Sequence, residues 1–106
     1  MKTIKSKREF ETVFSTGRKS AGRFSRVIVC GNTEGGPGKV AFVAAKRLGN
    51  AVYRNRCKRV LRVAARESGL PIDGKDVIIL ANGRTHGASP AEVADDLVCV
   101  IEKATR

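Results

Sequence analysis

The sequence has no tryptophan and only one histidine. That histidine, His86, lies in a glycine-rich loop, where we expect a solvated side chain rather than a general base. The carboxylates are scattered, and Asp95 and Asp96 are adjacent on a predicted helix, so their side chains diverge. We therefore expect neither a catalytic residue nor a metal site in the protein, and no tightly bound cofactor.

Long apolar runs are also missing. No segment approaches the length of a membrane-spanning helix, and the opening MKTIKSKREF has no apolar core of a signal peptide. Cys30, Cys57 and Cys99 form no C-x-x-C pair, which favours reduced, core-filling thiols over a disulfide or a metal site. These absences predict a soluble cytoplasmic protein with no membrane partner and no small-molecule substrate.

Positive charge is abundant. The 106 residues include 21 Lys or Arg against 10 Asp or Glu, a net charge of +11. Residues 1–66 carry 17 of these bases against 3 acids, whereas residues 67–106 carry 4 against 7. This balance predicts a polyanionic partner, and the 42% hydrophobic content favours a folded chain over a disordered one. The length predicts a single domain over residues 1–106.

Capping residues indicate three helices. The segment SKRE (residues 6–9) has capping-box spacing, and Gly17 can end that helix in the left-handed conformation. Asn50 is a good N-cap for a helix over residues 51–68. The segment SPAE (residues 89–92) is a second capping box, with proline at the first helical position. The apolar face of the last helix comprises Val93, Leu97, Val100 and Ile101.

Strand patterns lie between the helices. Residues 22–30 alternate between two faces, residues 39–45 are predicted to return through a hairpin loop at 31–38, and residues 18–22 form a short edge strand. Residues 76–81 are continuously apolar, as in a buried strand. The order α-β-β-β-α-β-α predicts an α+β fold, a two-layer sandwich of a mixed sheet and helices.

The central basic run, residues 46–66, holds eight Lys or Arg and no Asp or Glu. A helical wheel divides it into two faces. The predicted core-facing residues are Tyr53, Cys57, Val60, Leu61 and Ala64. The predicted cationic stripe, opposite the core, consists of Arg54, Lys58, Arg62 and Arg66, with Asn55 beside it. Like charges at this spacing cost on the order of 1 kcal/mol unless an anion neutralises them, so the stripe predicts a surface for a polyanion.

The residue types favour RNA. Arginine suits bidentate phosphate contacts, and the Asn55 amide can both donate to and accept from nucleotide edges or 2′-hydroxyls. Phe10 and Phe14 form an aromatic stripe on the first helix, which is core in one interpretation and a base-stacking surface in the other.

The run KRLGNAVYRNRCKR, residues 46–59, resembles the motif of the protein subunit of bacterial ribonuclease P. REFETVFSTG and DVIILA are similar to other segments of that family. The resemblance implies a subunit that joins a catalytic RNA to remove the 5′ leader of precursor tRNA, with Mg²⁺ used by the RNA. It also implies a leader cleft between the sheet and the central helix. A left-handed β-α-β crossover in a four-stranded sheet is a further implication.

The resemblance assigns residues to two RNA surfaces. The implied leader-binding residues are Phe10, Phe14, Arg54, Asn55, Lys58 and Arg62. The implied residues for the catalytic RNA are Lys46, Arg47, Arg56, Arg59 and Arg66. The sequence departs from the family pattern at Val27 and Ala45, and at Asn82, where an arginine is common; Arg84 follows two residues later.

Three other functional classes remain open. A ribosomal or other structural RNA-binding protein could use a similar sandwich, although it would not need a groove for a single strand. A protein enzyme acting alone has little support, and a sequence-specific DNA binder would need helix-turn-helix spacing, which the sequence lacks.

Overall fold

A computed structural model describes residues 3–31 and 36–105 of the chain. The helices are α1 (Lys7–Thr16), α2 (Ala51–Glu67) and α3 (Pro90–Thr105). The strands are β1 (Arg18–Ala21), β2 (Ser25–Gly31), β3 (Val40–Val43) and β4 (Lys75–Ala81), with a 3₁₀ turn at Lys46–Leu48. The order α-β-β-β-α-β-α and the α+β class are therefore confirmed. Within the described ranges, no helix is long and apolar enough to cross a membrane.

The four strands form one mixed sheet in the order β1-β2-β4-β3. The β1–β2 and β2–β4 pairs are antiparallel, and β3 and β4 are parallel, joined through α2. The predicted hairpin between β2 and β3 is wrong, because β4 lies between them. Val77, Ile78 and Ile79 are each 0% exposed, so β4 needs covered faces and a neighbour on both sides. Residues 32–35 of the predicted hairpin loop lie outside the described residues.

The two faces of the sheet are covered by different helices. Val27 and Val29 of β2 point to the side of α2 and α3, where the larger core forms. Ile28 and Ile78 point to the other side, where they pack against Val13 of α1. The sheet with α2 and α3 is the predicted sandwich, and α1 covers part of the opposite face.

The first and last helices begin at the predicted caps. The Glu9 amide donates to Ser6 Oγ at 3.5 Å, while the Glu9 carboxylate forms an ion pair with Lys39 at 3.0 Å. The capping box of α3 is reciprocal: the Glu92 amide donates to Ser89 Oγ at 3.2 Å, and the Ser89 amide donates to Glu92 Oε1 at 3.1 Å. The hydrogen bond that the Ser89 amide donates to the Glu92 carboxylate, together with one from the Ser89 side chain, holds the pKa of Glu92 below its usual value.

Gly17 ends α1 for a different reason from the one predicted. Its φ of −73° and ψ of 159° are extended, not left-handed. A Cβ at this position would lie 2.6 Å from Ile28 Cγ2 and 2.6 Å from the Val13 carbonyl oxygen. Glycine is therefore required because the chain turns tightly against β2, so that β1 can begin one residue later.

The three cysteines occupy different environments. Cys57 is 0% exposed in the core beneath α2, and burial raises the pKa of its thiol. Cys30 is half-buried beside Thr16, with Sγ 3.4 Å from Thr16 Oγ1. Cys99 is exposed on α3, so the prediction of core-filling thiols is wrong for this residue. The outer face of an amphipathic helix tolerates a small side chain without burying it.

Asp96 ties α3 to the turn between β1 and β2. Its carboxylate oxygens accept hydrogen bonds from the backbone N–H groups of Arg23 and Phe24, each at 3.0 Å. Carboxylate acceptors make stronger hydrogen bonds than neutral ones. The sequence suggested no such role, because the partners are more than 70 residues away along the chain.

We predict that Asp96→Ala lowers the free energy of unfolding by about 1.5–3 kcal/mol, because two backbone donors lose a charged acceptor. Asp95→Ala is the matched control, since it removes the same charge from an exposed position and should change stability by less than about 0.5 kcal/mol. Urea unfolding of both variants measures the difference. Equal effects would mean that net charge, not this anchor, is responsible.

Candidate nucleic-acid interface

The basic helix α2 begins at a sharply defined position. Gly49 adopts φ 156° and ψ −167°, a region open almost only to glycine. The Asn50 side chain then accepts a hydrogen bond from the Tyr53 amide at 2.9 Å. The predicted break and N-cap are both confirmed. Because they determine the residue at which the helix begins, they also determine the direction in which each α2 side chain points around the helix axis.

The inner face of α2 is packed against the sheet and α3. Cys57, Leu61 and Ala64 are each 0% exposed. The predicted core-facing side is thus confirmed, with Tyr53 only half-buried at its edge. Since these side chains fill the space between α2 and the sheet, an RNA strand cannot lie there. A cleft at that position is excluded, and an RNA surface must lie beside the helix.

The cationic stripe borders the core instead of standing opposite to it. Arg54 and Lys58 are half-buried, whereas Arg62 and Arg66 are exposed. Ala65 follows Arg54 by about three helical turns, so the two lie at nearly the same angle, and Ala65 is 0% exposed. The buried face of α2 therefore reaches as far as the cationic flank. Asn55 is exposed beside this flank.

Arg62 connects the stripe to the edge of the sheet. Its guanidinium carbon lies 5.8 Å from the ring centroid of Phe42, a cation–π geometry. Phe42 belongs to β3, which pairs only with β4 within the named strands and therefore forms an edge of the sheet. The flank of α2 and the edge of β3 thus form one continuous surface.

Arg54 carries an unsatisfied donor. Its Nε atom is buried and has no hydrogen-bond partner among residues 3–31 and 36–105. A buried donor without an acceptor costs about 1–3 kcal/mol.

No acidic residue neutralises the stripe within the described chain. The first turn of α2 contains no acid, and the ion pair that the described residues form, between Lys39 and Glu9, lies on the other face. The positive end of the helix dipole adds to the charge of Arg54. The surface is therefore electropositive without internal compensation.

Phe10 and Phe14 lie on the opposite face of the sheet, on α1. Their rings stack with centroids 6.0 Å apart and an interplanar angle of 22°. Phe10 is half-buried against the smaller core, while Phe14 is 41% exposed. The two groups of implied leader residues thus lie on opposite faces of the sheet, of which β3 is the edge near α2. A strand that contacts both must pass around its edge.

The residues implied for the catalytic RNA lie elsewhere on the surface. Lys46 and Arg47 are exposed in the 3₁₀ turn that joins β3 to α2. Arg56 and Arg59 are exposed on the outer side of α2. Arg66 is exposed in the last turn, where a positive charge favours the helix dipole.

His86 is not the solvated loop residue that we expected. Its ring stacks on Tyr53, with centroids 4.0 Å apart and an interplanar angle of 5°. This contact fastens the loop after β4 to the first turn of α2. No sequence pattern indicated this contact, because 33 positions separate the two aromatic side chains.

The positions that depart from the family pattern have distinct roles. The Val27 side chain is buried in the core beneath α2 and α3, so that side chain cannot contribute to a surface on the α1 side. Asn82 organises its loop: its Oδ1 accepts from the Arg84 amide at 2.8 Å, and its Nδ2 donates to the Arg23 carbonyl at 3.1 Å. Buried Thr85 donates to the Phe24 carbonyl at 2.6 Å. The Asn82 side chain therefore stabilises its own loop, whereas an arginine side chain at this position would extend away from it.

Comparison with known proteins gives a consistent result. The family model described as Ribonuclease P matches residues 1–105. A ribonuclease P protein component from Gluconacetobacter diazotrophicus is 34% identical over 103 residues, covering 95% of this chain and 89% of the relative. The component from Bacillus cereus strain Q1 is 34% identical over 102 residues, with the same coverage of 95% and 89%.

Solved structures agree with these sequence matches. The RNase P protein of Staphylococcus aureus has a TM-score of 0.82 at 28% identity, covering 98% of this chain and 95% of that one. The RNase P protein of Thermotoga maritima has a TM-score of 0.79 at 18% identity, covering 97% of both chains. At 18% identity, the similarity to the Thermotoga maritima protein supports a shared fold and nothing more.

We predict that His86→Ala lowers the free energy of unfolding by about 0.5–1.5 kcal/mol, because the aromatic stack on Tyr53 is lost. His86→Phe should retain most of the stability, since a ring remains in place. Arg84→Ala, an exposed change in the same loop, is the control and should have an effect below about 0.5 kcal/mol. Urea unfolding gives all three values. A His86→Phe variant as unstable as His86→Ala would show that stacking is not the cause.

Proposed function

The chain belongs to the ribonuclease P protein family, and on that premise we propose that it is the RNA-binding protein subunit of ribonuclease P. In this proposal it binds the catalytic RNA and the 5′ leader of precursor tRNA. The endonucleolytic removal of the leader is then carried out by the RNA, so the protein contributes binding and no catalytic residue.

The observation that carries the proposal is the uncompensated cationic flank of α2. Arg54, Lys58 and Arg62 follow one another at i, i+4 spacing without an acidic neighbour, and the buried Nε of Arg54 has no acceptor in the described chain. RNA phosphates would supply the missing negative charge along this flank. The Phe42 ring beside Arg62 adds an aromatic surface at the same edge.

We assign the two RNA partners to two surfaces. One runs from the flank of α2 around the edge of β3 to the aromatic side chains of α1, and it binds the leader as a single strand. Its residues are Phe10, Phe14, Arg54, Asn55, Lys58 and Arg62. The other includes the 3₁₀ turn and the outer side of α2, and it binds the catalytic RNA. Its residues are Lys46, Arg47, Arg56, Arg59 and Arg66.

Mg²⁺ is assigned to the RNA subunit. Residues 3–31 and 36–105 contain no group of three or more His, Cys, Asp or Glu side chains placed to hold a metal ion. The protein's own part in Mg²⁺-dependent cleavage is then electrostatic: its cations neutralise phosphates that would otherwise require additional metal ions.

The alternative, a ribosomal or other structural RNA-binding protein, would use the same basic surface without a leader. It predicts RNA binding with no difference between precursor and mature tRNA and no effect on cleavage. The exposed aromatic surface of α1 favours the first proposal, because structured duplex RNA offers few unstacked bases to such rings.

We predict that the protein promotes leader removal when it is combined with a bacterial ribonuclease P RNA and precursor tRNA at low Mg²⁺. The RNA alone and the protein alone are the two controls, and the protein alone should cleave nothing. Gel analysis of the 5′ end of the product measures the rate. Cleavage by the protein alone, or an unchanged rate with the RNA, would contradict the proposed function.

We predict that Arg62→Ala weakens holoenzyme binding to precursor tRNA by roughly tenfold, because a charged hydrogen bond of about 1.5 kcal/mol is lost, and leaves mature tRNA nearly unaffected. The slope of log K against log salt for precursor tRNA should fall by about 0.7 for the one single-strand phosphate released.

Arg59→Ala is the matched control for Arg62→Ala, since it removes the same charge from the outer side of the same helix. It should weaken assembly with the catalytic RNA and affect both tRNAs equally. Titration with labelled precursor and mature tRNA separates the two effects. Equal losses on both tRNAs for Arg62→Ala would place its contact on the catalytic RNA.

A further inference from the structure

Three connecting segments meet at one end of the sheet. Strands β3 and β4 run parallel and both end there, and β2, which is antiparallel to β4, begins there. The segments are the turn before β2, the 3₁₀ turn after β3 and the loop after β4. The 3₁₀ turn carries exposed Lys46 and Arg47, and the loop carries half-buried His86. Contacts between these segments therefore determine where the two cations stand.

The loop after β4 is held in place by Thr85. This side chain is 0% exposed, and its Oγ1 donates a hydrogen bond to the Phe24 carbonyl at 2.6 Å and accepts one from the Asn82 amide at 3.0 Å. Displacing a buried hydroxyl from its partners is costly, because the groups left behind have no water to replace it. His86 is the next residue, so its backbone extends from a fixed position.

Tyr53 connects this loop to the segment that precedes α2. Its ring stacks on His86, with centroids 4.0 Å apart and an interplanar angle of 5°. The Asn50 side chain accepts a hydrogen bond from the Tyr53 amide at 2.9 Å. The backbone of Gly49 lies against the Tyr53 ring, since a Cβ at Gly49 would stand 2.9 Å from Tyr53 Cγ. Tyr53 therefore contacts the loop after β4 and the end of the 3₁₀ turn at the same time.

The 3₁₀ turn depends on side chains for its attachment to the fold. Its backbone hydrogen bonds, which the Leu48 and Gly49 amides donate at 3.0 and 3.3 Å, are accepted by carbonyls of the same segment. Leu48 is half-buried against the larger core, and so is Tyr53 four residues after Gly49. Tyr53 is therefore an anchor of the turn, and the ring of His86 supports that anchor.

We propose that His86 is a positioning residue for the surface that binds the catalytic RNA. By stacking on Tyr53, it holds the 3₁₀ turn so that Lys46 and Arg47 extend from a fixed backbone. This inference rests on the proposed function and deepens it, since it gives a role to a residue outside the basic run. A preformed backbone lowers the ordering cost of binding phosphates, so the stack strengthens assembly without touching the RNA.

The test measures the affinity of the whole chain for a bacterial ribonuclease P RNA at a temperature at which every variant remains folded. His86→Ala should weaken assembly by about three- to tenfold, because the turn must then be ordered on binding. His86→Phe should stay within about twofold of wild type, since it restores a ring on Tyr53.

Ile78→Val is the matched control for stability. It truncates a side chain that is 0% exposed in the smaller core, on the α1 side of the sheet. Such a truncation destabilises a fold about as much as the loss of an aromatic pair does, and it should leave the affinity for RNA within about twofold of wild type. An affinity loss as large as that of His86→Ala would make lowered stability the cause and overturn the positioning role.

A double-variant cycle tests whether His86 acts through the two cations. In the Lys46→Ala/Arg47→Ala background, His86→Ala should weaken assembly by less than about twofold, because the side chains that it positions are gone. An undiminished loss in that background would overturn the proposal.

The stack also has a spectroscopic signature. His86 is the only histidine of the chain and Tyr53 is its only tyrosine, so the ring signals of both can be assigned directly in an NMR spectrum. We expect nuclear Overhauser effects between the two rings in wild type and in the Ile78→Val control. Rings without such contacts in wild type would overturn the proposal.

Two further outcomes would contradict the positioning role. Unchanged affinity in His86→Ala would show that the turn needs no such support. A His86→Phe variant that binds as weakly as His86→Ala would show that the imidazole itself contacts the RNA. The proposed function fails separately, when wild type neither binds the ribonuclease P RNA nor promotes its cleavage of precursor tRNA.

Discussion

The burial of β4 on both faces is the constraint on which the rest of this structure depends. Val77, Ile78 and Ile79 are consecutive and each 0% exposed, so apolar side chains leave the strand in both directions. Both faces of the sheet must then be covered, which separates α1 from α2 and α3. Strand β4 also needs a neighbour on each side. These neighbours are β2 and β3, and β3 therefore forms an edge of the sheet. The basic helix and the aromatic helix consequently lie on opposite faces with one edge strand between them.

The electrostatics of α2 follow from how firmly that helix is packed. An isolated helix with this charge pattern would lose stability through repulsion at each i, i+4 pair. Here Cys57, Leu61 and Ala64 are fully buried on the inner face of the helix, and burying side chains of this kind contributes roughly 0.8 kcal/mol for each methylene-sized group. Packing can therefore hold the like charges together. An anion that binds there relieves the repulsion between them. The relief of this repulsion contributes to the free energy of binding.

Local features were predictable from sequence, whereas long-range ones were not. The Asn50 cap and the reciprocal Ser89–Glu92 box depend on residues within one turn, and both appear as predicted. The order of the strands depends on which pairings satisfy β4, and neighbours in sequence gave the wrong answer for β2 and β3. A uniform helical wheel also placed the cationic stripe opposite the core. Ala65, which lies at nearly the same angle as Arg54, is 0% exposed, so the buried face extends to the stripe and the stripe lies on the flank.

The cations beside the short edge strand β3 affect which molecules can approach its uncovered edge. An uncovered strand edge can pair with another protein chain. Thr3 and Ile4 contact Val40 at one end of β3, with the Ile4 amide 3.4 Å from the Val40 carbonyl oxygen. At the other end Arg62 stands over Phe42. A second copy of this chain would bring its own cations to that edge and be repelled, whereas a polyanion would be attracted. The same charges therefore discourage pairing between protein strands and favour the approach of an RNA strand.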